Sequence, residues 1–185
     1  MTRLMIIVGS VRPGRVGLPI AEWVRDQAIE HGGFDVDFVD LLELGLPFMD
    51  EPNHPRLRQY TKPHTIAWSE RVDAADAFLF VTPEYNYSSS PALKNAIDFL
   101  NQEWWRKPVG FVSYGGVSSG TRGVVALLPV LASLGMIRVG ANVELTFGGK
   151  QVVDGVFIAQ EKESAIIRKE LDELQALAEG LAPLR

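Results

Sequence analysis

Apolar residues follow two alternating patterns along this chain. Continuous apolar runs, such as residues 4–8 and 77–81, are typical of strands that are buried on both faces of a sheet. Between these runs, apolar residues recur at spacings of three and four, and this periodicity predicts amphipathic helices. The predicted strands lie at residues 4–8, 34–39, 77–82, 108–113 and 136–145. The predicted helices lie around residues 16–28, 65–74, 93–100, 124–131 and 167–181.

The regular alternation of strands and helices indicates an α/β fold with a parallel sheet covered on both faces. Five strands fit a flavodoxin-like three-layer α/β/α sandwich, with strand order 2-1-3-4-5, better than the six-stranded dinucleotide-binding fold. A chain of 185 residues predicts one domain over residues 1–185. Residues 41–63 are rich in Pro and Gly and predict a long, lid-like loop. The acidic segment 161–173 predicts a solvated helix face.

Composition narrows the classes of function. The formal net charge of -5 argues against a nucleic-acid-binding protein, which usually carries a basic stripe. The absence of cysteine excludes disulfides, thiolate nucleophiles and cysteine metal sites. The histidines lack the close spacing of metal ligands, and no run approaches the roughly 18 apolar residues of a membrane span. We therefore expect a cytoplasmic protein without a metal site, a nucleic-acid partner or membrane contact.

A glycine-rich loop joins the first predicted strand to the first predicted helix. Its glycines let the backbone approach a ligand closely, and the free N–H groups at the start of a helix favour an anion. Ser10 adds a hydroxyl, while Arg12 and Arg15 add planar cations that match phosphate oxygens. Neither the Walker pattern nor the dinucleotide glycine pattern is present. The loop predicts a phosphate site, and a tight turn with two solvated arginines is the alternative.

The segment after the third predicted strand combines a rigid turn with polar and aromatic side chains. Pro83 fixes the backbone, and Glu84, Tyr85 and Asn86 follow beyond the sheet edge. These groups suit a flat ring with polar edges, and a proline-capped turn with surface aromatics is the alternative. Residues 88–90 are serines, which we interpret as cap and turn residues because no histidine stands in a triad-like relation to them.

A third loop follows the fourth predicted strand. Ser113, Tyr114, Gly115 and Gly116 can bring backbone amides and one phenol ring close to a ligand edge. Glycine–serine loops are common, so this signal gains weight mainly from its position. In a doubly wound sheet all three loops emerge from adjacent strand ends, and we therefore expect one shared pocket. Arg122 begins the next helix and could meet a phosphate of a nicotinamide cofactor, although a role outside the site is favoured.

At these three loops the chain resembles the NADPH-dependent FMN reductase family of flavodoxin-like proteins. Gly-Ser-x-Arg after the first strand is similar to the family's phosphate loop, and Pro83 to Asp98 is similar to its most specific motif, Pro-Glu-Tyr-Asn followed by Ser-x-Pro-x-x-Leu-Lys-Asn-Ala-Ile-Asp. The resemblance implies non-covalently bound FMN. The implied phosphate-binding residues are Ser10, Arg12, Arg15, Val16 and Gly17. The implied ring-binding residues are Pro83, Glu84, Tyr85, Asn86, Ser113, Tyr114, Gly115 and Gly116.

The resemblance further implies hydride transfer from NADPH or NADH to FMN, and from there to a flavin, a quinone, an azo compound or a similar small acceptor. Because the flavin carries this chemistry, no catalytic side chain is predicted. The family usually forms homodimers or homotetramers, and the predicted helices at 93–100 and 124–131 are the interface candidates. The alternative is a flavodoxin-type electron carrier or a flavin-based sensor, which binds FMN without oxidising NAD(P)H. The acceptor and the choice between NADPH and NADH stay open.

Overall fold

The predicted strands lie side by side in one parallel sheet. The computed structural model describes residues 1–185. The sheet contains β1 (Thr2–Val8), β2 (Phe34–Asp40), β3 (Ala77–Pro83), β4 (Pro108–Gly115), β5 (Ile137–Arg138) and β6 (Val143–Thr146). The order is β2-β1-β3-β4-β5, and β6 also pairs with β4. The predicted strand order 2-1-3-4-5 is therefore confirmed, with the fifth strand divided into two short segments.

Helices cover both faces of the sheet. They are α1 (Gly17–His31), α2 (Leu41–Leu44), α3 (Pro63–Asp73), α4 (Pro91–Asp98), α5 (Thr121–Ser133) and α6 (Glu161–Leu181). Side chains of β1 alternate between the faces: Leu4, Ile6 and Val8 pack towards α1 and α6, whereas Met5 and Ile7 pack towards α3, α4 and α5. This alternation explains the continuous apolar run, because each face of the strand has its own core. None of the helices combines the length and the apolar character that crossing a membrane requires.

The prediction that residues 41–63 form one long loop is wrong, because they contain α2 and a short 3₁₀ helix at Pro55–Leu57. Between β6 and α6 lies a small antiparallel hairpin of β7 (Val152–Val153) and β8 (Val156–Phe157), for which the sequence pattern makes no prediction. These elements are too short to produce a periodic signal in the sequence.

The predicted interface helices bury their apolar stripes inside the protein. On α4 and the residues that follow it, Leu93, Ala96, Ile97 and Leu100 are buried in the core beneath the sheet. The corresponding stripe of α5 is buried in the same core, and Val125 on its outer side is exposed. The stripes themselves are therefore packing surfaces inside the protein, and the prediction that these helices contribute to an interface applies only to their outer sides.

Glu170 fills the gap that the divided fifth strand leaves beside β4. Val109 pairs with Arg138 on β5 and Val112 pairs with Val143 on β6, so the intervening backbone of β4 has no strand partner on this side. The Glu170 carboxyl accepts a hydrogen bond from the Phe111 N–H at 2.6 Å. Glu170 is fully buried, and this burial raises its pKa well above 4.5. The prediction that the acidic helix is solvated is therefore wrong at this position.

Substitutions of Glu170 by Gln and by Leu distinguish the contribution of its hydrogen bond from the effect of its ionisation. The pKa of Glu170 in the folded protein exceeds the ordinary value of 4.5. The stability that the protonated carboxyl contributes is therefore fully present below pH 4.5, and it is lost as the pH rises through the folded-state pKa. Glu170→Gln keeps an acceptor without titrating. The wild type should therefore lose stability relative to this variant between about pH 5 and about pH 8.

Relative to Glu170→Gln, Glu170→Leu should have a free energy of unfolding that is lower by about 1–3 kcal/mol at both pH values, because the Phe111 N–H loses its partner. Urea denaturation of the wild type and both variants measures these differences. Parallel pH profiles for the wild type and Glu170→Gln would show that the buried carboxyl does not titrate as described.

Candidate active site

The three predicted loops meet around one cavity at the carboxyl edge of β1, β3 and β4. This carboxyl-edge cavity has a volume of about 370 Å³. It is lined by Ser10, Arg12, Arg15, Val16, Pro83, Glu84, Tyr85, Tyr114, Gly115, Gly116 and Gly149. All of these except Gly149 belong to the predicted site. The chain leaves β1 and β3 towards opposite faces of the sheet, and this switch point is where ligands bind in open α/β folds.

The start of α1 is open to an anion. Val16 occupies the position before the helix and makes no side-chain capping bond, so the first N–H groups of α1 have no side-chain acceptor. Arg12 is exposed and forms no ion pair within the protein. A helix N-terminus beside a free guanidinium favours a phosphate group.

Arg15, a predicted phosphate-binding residue, is already engaged within the protein. Both ends of its guanidinium donate to the Asp40 carboxylate, and Nη1 also donates to the Ser10 carbonyl at 2.6 Å. Both side chains of this ion pair are almost fully buried. Arg15 therefore borders the cavity as a brace of the loop, with its charge already balanced. Sequence reasoning missed Asp40, although an Asp that ends a strand and caps α2 through the Leu42 N–H at 2.9 Å is a recognisable signal.

Tyr114 presents an unpaired hydroxyl at this end of the cavity. The residue is 7% exposed, and its hydroxyl has no hydrogen-bond partner within the protein. Burial raises the pKa of this phenol well above its ordinary value. Gly17 makes room for the hydroxyl, because a Cβ at position 17 would overlap it. Gly17 itself does not line the cavity and acts by leaving this space.

The segment after β3 forms a two-residue hairpin. The N–H and carbonyl groups of Tyr85 and Ser88 pair at 3.0 and 2.9 Å. Asn86 and Tyr87 have positive φ angles of 47° and 68°, as a type I′ turn requires. Asn tolerates this conformation readily, whereas it is uncommon for Tyr. Asn86 therefore shapes the turn and is not among the residues that line the cavity, and its contact with a flavin ring stays a prediction.

Two hydroxyl groups connect this hairpin and the start of α4 to the phosphate loop, the segment of residues 9–17 between β1 and α1. The Tyr85 hydroxyl lies 2.9 Å from Ser10 Oγ. The buried Ser90 stands at the cap position of α4, but its hydroxyl donates to the Gly9 carbonyl and makes no capping bond. Ser90 therefore occupies the predicted cap position, while its side chain links two loops.

The loop after β4 contributes backbone more than side chains. Ser113 is buried, and its hydroxyl donates to the Ser119 carbonyl at 2.9 Å, so it supports the loop from behind instead of lining the cavity. Gly115 and Gly116 line the cavity, and the Gly116 N–H has no backbone acceptor. Gly120 has a φ of 82°, and a Cβ there would come within 2.7 Å of the Tyr114 nitrogen, so only glycine fits this close approach.

Glu84 carries the charge on the remaining wall. Its carboxylate accepts hydrogen bonds from Arg122 Nε and from Ser118 Oγ, each at 2.6 Å. The hydrogen bond from Arg122 is the main reason why the pKa of Glu84 is lowered. Arg122 is thus already paired, which leaves its predicted contact with a nicotinamide phosphate in competition with Glu84.

A larger cavity, of about 700 Å³, lies at the opposite edge of the sheet. Its charged groups are satisfied by one another: Arg58 pairs with Asp73 and Arg185 pairs with Asp76, each at 3.1 Å. Lys107 donates to two carbonyl groups at the end of α3. The two arginines are thus paired and the Lys107 ammonium is held by carbonyl groups, so volume alone does not identify the functional site. Nor does the chain contain a group of three or more His, Asp or Glu side chains that could hold a metal ion.

The chain belongs to the NADPH-dependent FMN reductase family, whose sequence profile matches residues 2–149. It is similar to an NAD(P)H-dependent FMN reductase of Schizosaccharomyces pombe, with 38% identity over 157 residues that cover 83% of this chain and 78% of that protein. It is also similar to the FMN-dependent NADPH-azoreductase of Staphylococcus haemolyticus, with 34% identity over 113 residues and 60% of each chain covered. The solved structure of FerB, a flavoenzyme NAD(P)H:(acceptor) oxidoreductase from Paracoccus denitrificans, superposes with a TM-score of 0.77 at 20% identity and covers 98% of this chain and 99% of its own.

These similarities confirm the predicted family and, together with the strand order, the predicted fold class. They also confirm FMN as cofactor and an NAD(P)H-dependent oxidoreductase as the class of enzyme, in preference to the electron carrier. The residues of this chain fit that cofactor. An unpaired buried hydroxyl, a free arginine and an uncapped helix start surround one end of a cavity whose other end is lined by peptide groups and phenols.

Gly17→Ala should displace the Tyr114 phenol and lower both the free energy of unfolding and the affinity for FMN. Relieving the overlap costs about 1–3 kcal/mol in stability. In a Tyr114→Phe background the ring carbon that carried the hydroxyl would lie 3.1 Å from the new Cβ, so much of the cost should disappear. A double-mutant cycle by chemical denaturation measures this coupling.

Gly180→Ala is the matched control, because nothing lies within 4 Å of a Cβ at that helical position. Its stability should equal or exceed that of the wild type. Strictly additive effects of Gly17→Ala and Tyr114→Phe would contradict the close approach of these two residues.

Proposed function

We propose that FMN binds non-covalently in the carboxyl-edge cavity, with its phosphate at the start of α1 and its ring between the hairpin after β3 and the loop after β4. The observation that carries this placement is the unpaired Tyr114 hydroxyl, which is buried beside the open N-terminus of α1. An unsatisfied buried donor is costly, and a phosphate oxygen would supply its acceptor. Arg12 is the exposed cation that would balance the phosphate charge.

The proposed reaction passes a hydride from NADPH or NADH to bound FMN and then reduces a small-molecule acceptor such as a flavin, a quinone or an azo compound. FMN supplies the redox chemistry when it is bound. The protein contributes orientation and electrostatics. Tyr85 and Tyr114 provide flat walls, and the free Gly116 N–H can donate to negative charge that develops at the ring edge. No side chain is required as a general acid or base.

The visible spectrum of the purified protein tests this proposal. We expect flavin absorbance that bleaches when NADPH or NADH is added without oxygen, and returns when a quinone or azo dye is added. Parallel titrations with the two nucleotides determine the preference that the sequence leaves open. A protein that takes up no FMN would overturn the proposal, and bound flavin that neither nucleotide reduces would favour a carrier or sensor.

Arg12→Ala tests the position of the phosphate. Loss of a charged hydrogen bond to a phosphate should weaken FMN binding by about 10–100-fold, with the folded structure retained because Arg12 is exposed. The weakening should diminish at high salt, because the lost interaction is partly screened. Arg168→Ala, which removes an exposed arginine from α6, is the matched control and should bind FMN like the wild type. Equal affinity of both variants would place the phosphate elsewhere.

We also propose that the chain assembles as a homodimer or homotetramer. A groove of about 400 Å³ beside the phosphate loop supports this proposal, because exposed apolar patches mark interaction surfaces. Phe48 is 86% exposed at the edge of this groove. The groove is lined by Val11, Leu41, Leu46, Pro47, Phe48, Pro91, Ala92, Asn95 and Ala96. A cytoplasmic location stays a prediction, which fractionation of cells that express the tagged chain would test.

Phe48→Glu should shift the assembly towards monomers, since it places a charge on the apolar patch. Light scattering coupled to size-exclusion chromatography measures the mass at several concentrations. Ile29→Glu, which alters an exposed apolar residue on α1, is the control and should leave the mass unchanged. A wild-type protein that is monomeric at every concentration would contradict the proposal.

A further inference from the structure

Arg122 and Glu84 form an ion pair at the rim of the carboxyl-edge cavity. Arg122 Nη2 lies 2.5 Å from Glu84 Oε1, and Nε donates to the same oxygen at 2.6 Å. Ser118 Oγ donates to the other carboxylate oxygen at 2.6 Å. The Glu84 side chain is only 6% exposed, whereas Arg122 is 42% exposed. The Glu84 carboxylate is therefore buried, and the guanidinium that neutralises it lies on its solvent-exposed side.

The same guanidinium also covers the tip of the hairpin. It lies 3.7 Å from the centroid of the Tyr87 ring, at the distance of a cation–π contact. Tyr87 has a φ of 68°, a conformation that non-glycine side chains hold only when their surroundings stabilise it. The first turn of α5 packs directly against this hairpin, because a Cβ at Gly123 would lie 3.0 Å from the Ser88 carbonyl. Arg122 thus contacts both the charge and the strained turn of one cavity wall.

We infer that Arg122 is a positioning residue for the flavin: it holds the hairpin of residues 84–88 in shape and cancels the Glu84 charge, so that reduction of bound FMN is not opposed by an unbalanced carboxylate. This inference rests on the proposed placement of FMN in the carboxyl-edge cavity. Reduction adds negative charge to the ring, and a nearby uncompensated carboxylate makes that addition less favourable.

The other groups around the cavity cannot replace Arg122 in this balance. Arg15 lies across the cavity, but its charge is neutralised by Asp40. Arg12 would be balanced by the proposed phosphate. The phenols of Tyr85 and Tyr114 supply no cation. Around Glu84, Ser118 donates a hydrogen bond without charge and Tyr87 offers only its ring to Arg122, so Arg122 is the cation available to the Glu84 carboxylate.

Arg122→Met removes the cation and keeps a side chain of similar length. We expect the ratio of affinities for reduced and oxidised FMN to fall about tenfold, which is a shift of about 30 mV to a more negative two-electron midpoint potential. The shift should shrink as the pH falls, because protonation of Glu84 removes the unbalanced charge. Arg122→Lys keeps a charge and should restore most of the wild-type potential.

The double variant Glu84→Gln with Arg122→Met decides between charge compensation and shape. If Arg122 compensates Glu84, removal of both charges returns the potential to the wild-type value. If Arg122 only shapes the hairpin, the double variant keeps the shifted potential of Arg122→Met, and the inference is overturned. Arg168→Met on α6 is the matched control and should leave the potential unchanged.

The ligand-free protein gives an independent readout. In a double-mutant cycle by chemical denaturation, Arg122→Met should destabilise the wild type more than the Glu84→Gln variant, with a coupling of about tenfold in the unfolding equilibrium constant. Absence of coupling would overturn the inference even if FMN binds as proposed. A changed KM for NADPH with an unchanged potential would also overturn it and assign Arg122 to the nicotinamide nucleotide. Failure of the wild type to bind FMN would overturn the proposed function, whatever the cycle shows.

Discussion

The buried ion pair between Arg15 and Asp40 fixes the loop on which the candidate site depends. A buried charge is tolerated only when it is paired and hydrogen-bonded, and here the carboxylate receives both ends of the guanidinium as well as the Leu42 N–H. The pair ties the loop that follows β1 to the end of β2, the strand that lies beside β1 in the sheet. The guanidinium also holds the Ser10 carbonyl, and so it sets the course of the chain just before α1 begins.

Hydrogen bonds connect this loop to the neighbouring walls of the cavity. Ser10 meets the Tyr85 hydroxyl, and Ser90 reaches the Gly9 carbonyl, so the hairpin after β3 and the start of α4 are held to the same loop. Glu84 continues the chain of contacts to Arg122 on α5. The cavity is thus enclosed by polar contacts between loops, while the two apolar cores lie on either side of the sheet. Polar contacts between loops therefore determine most of the shape of the site, and Tyr114 belongs both to the core and to the cavity wall.

This division explains what the sequence could and could not predict. Strand order and the helices follow from apolar periodicity, because each buried face needs its own stripe of side chains. Most cavity residues follow from their position after β1, β3 and β4. The pairing of Arg15 with Asp40 brings together residues from two strand ends, and no local pattern encodes the distance between them. Glu170 is similar, since its burial depends on a break in the sheet near residues 139–142.

Arg12 and Arg15 show how the same residue type in one loop takes opposite roles. Arg15 forms an ion pair with the Asp40 carboxylate, which buries the arginine side chain and neutralises its charge. Arg12 has no such partner, stays exposed, and leaves one positive charge beside the uncapped start of α1. A second free arginine would add self-repulsion to a ligand-free loop, whereas a loop without any would have only the helix N-terminus to attract a phosphate. One paired and one free arginine therefore combine a rigid loop with a positive charge beside a helix N-terminus, the two features that the proposed phosphate site requires.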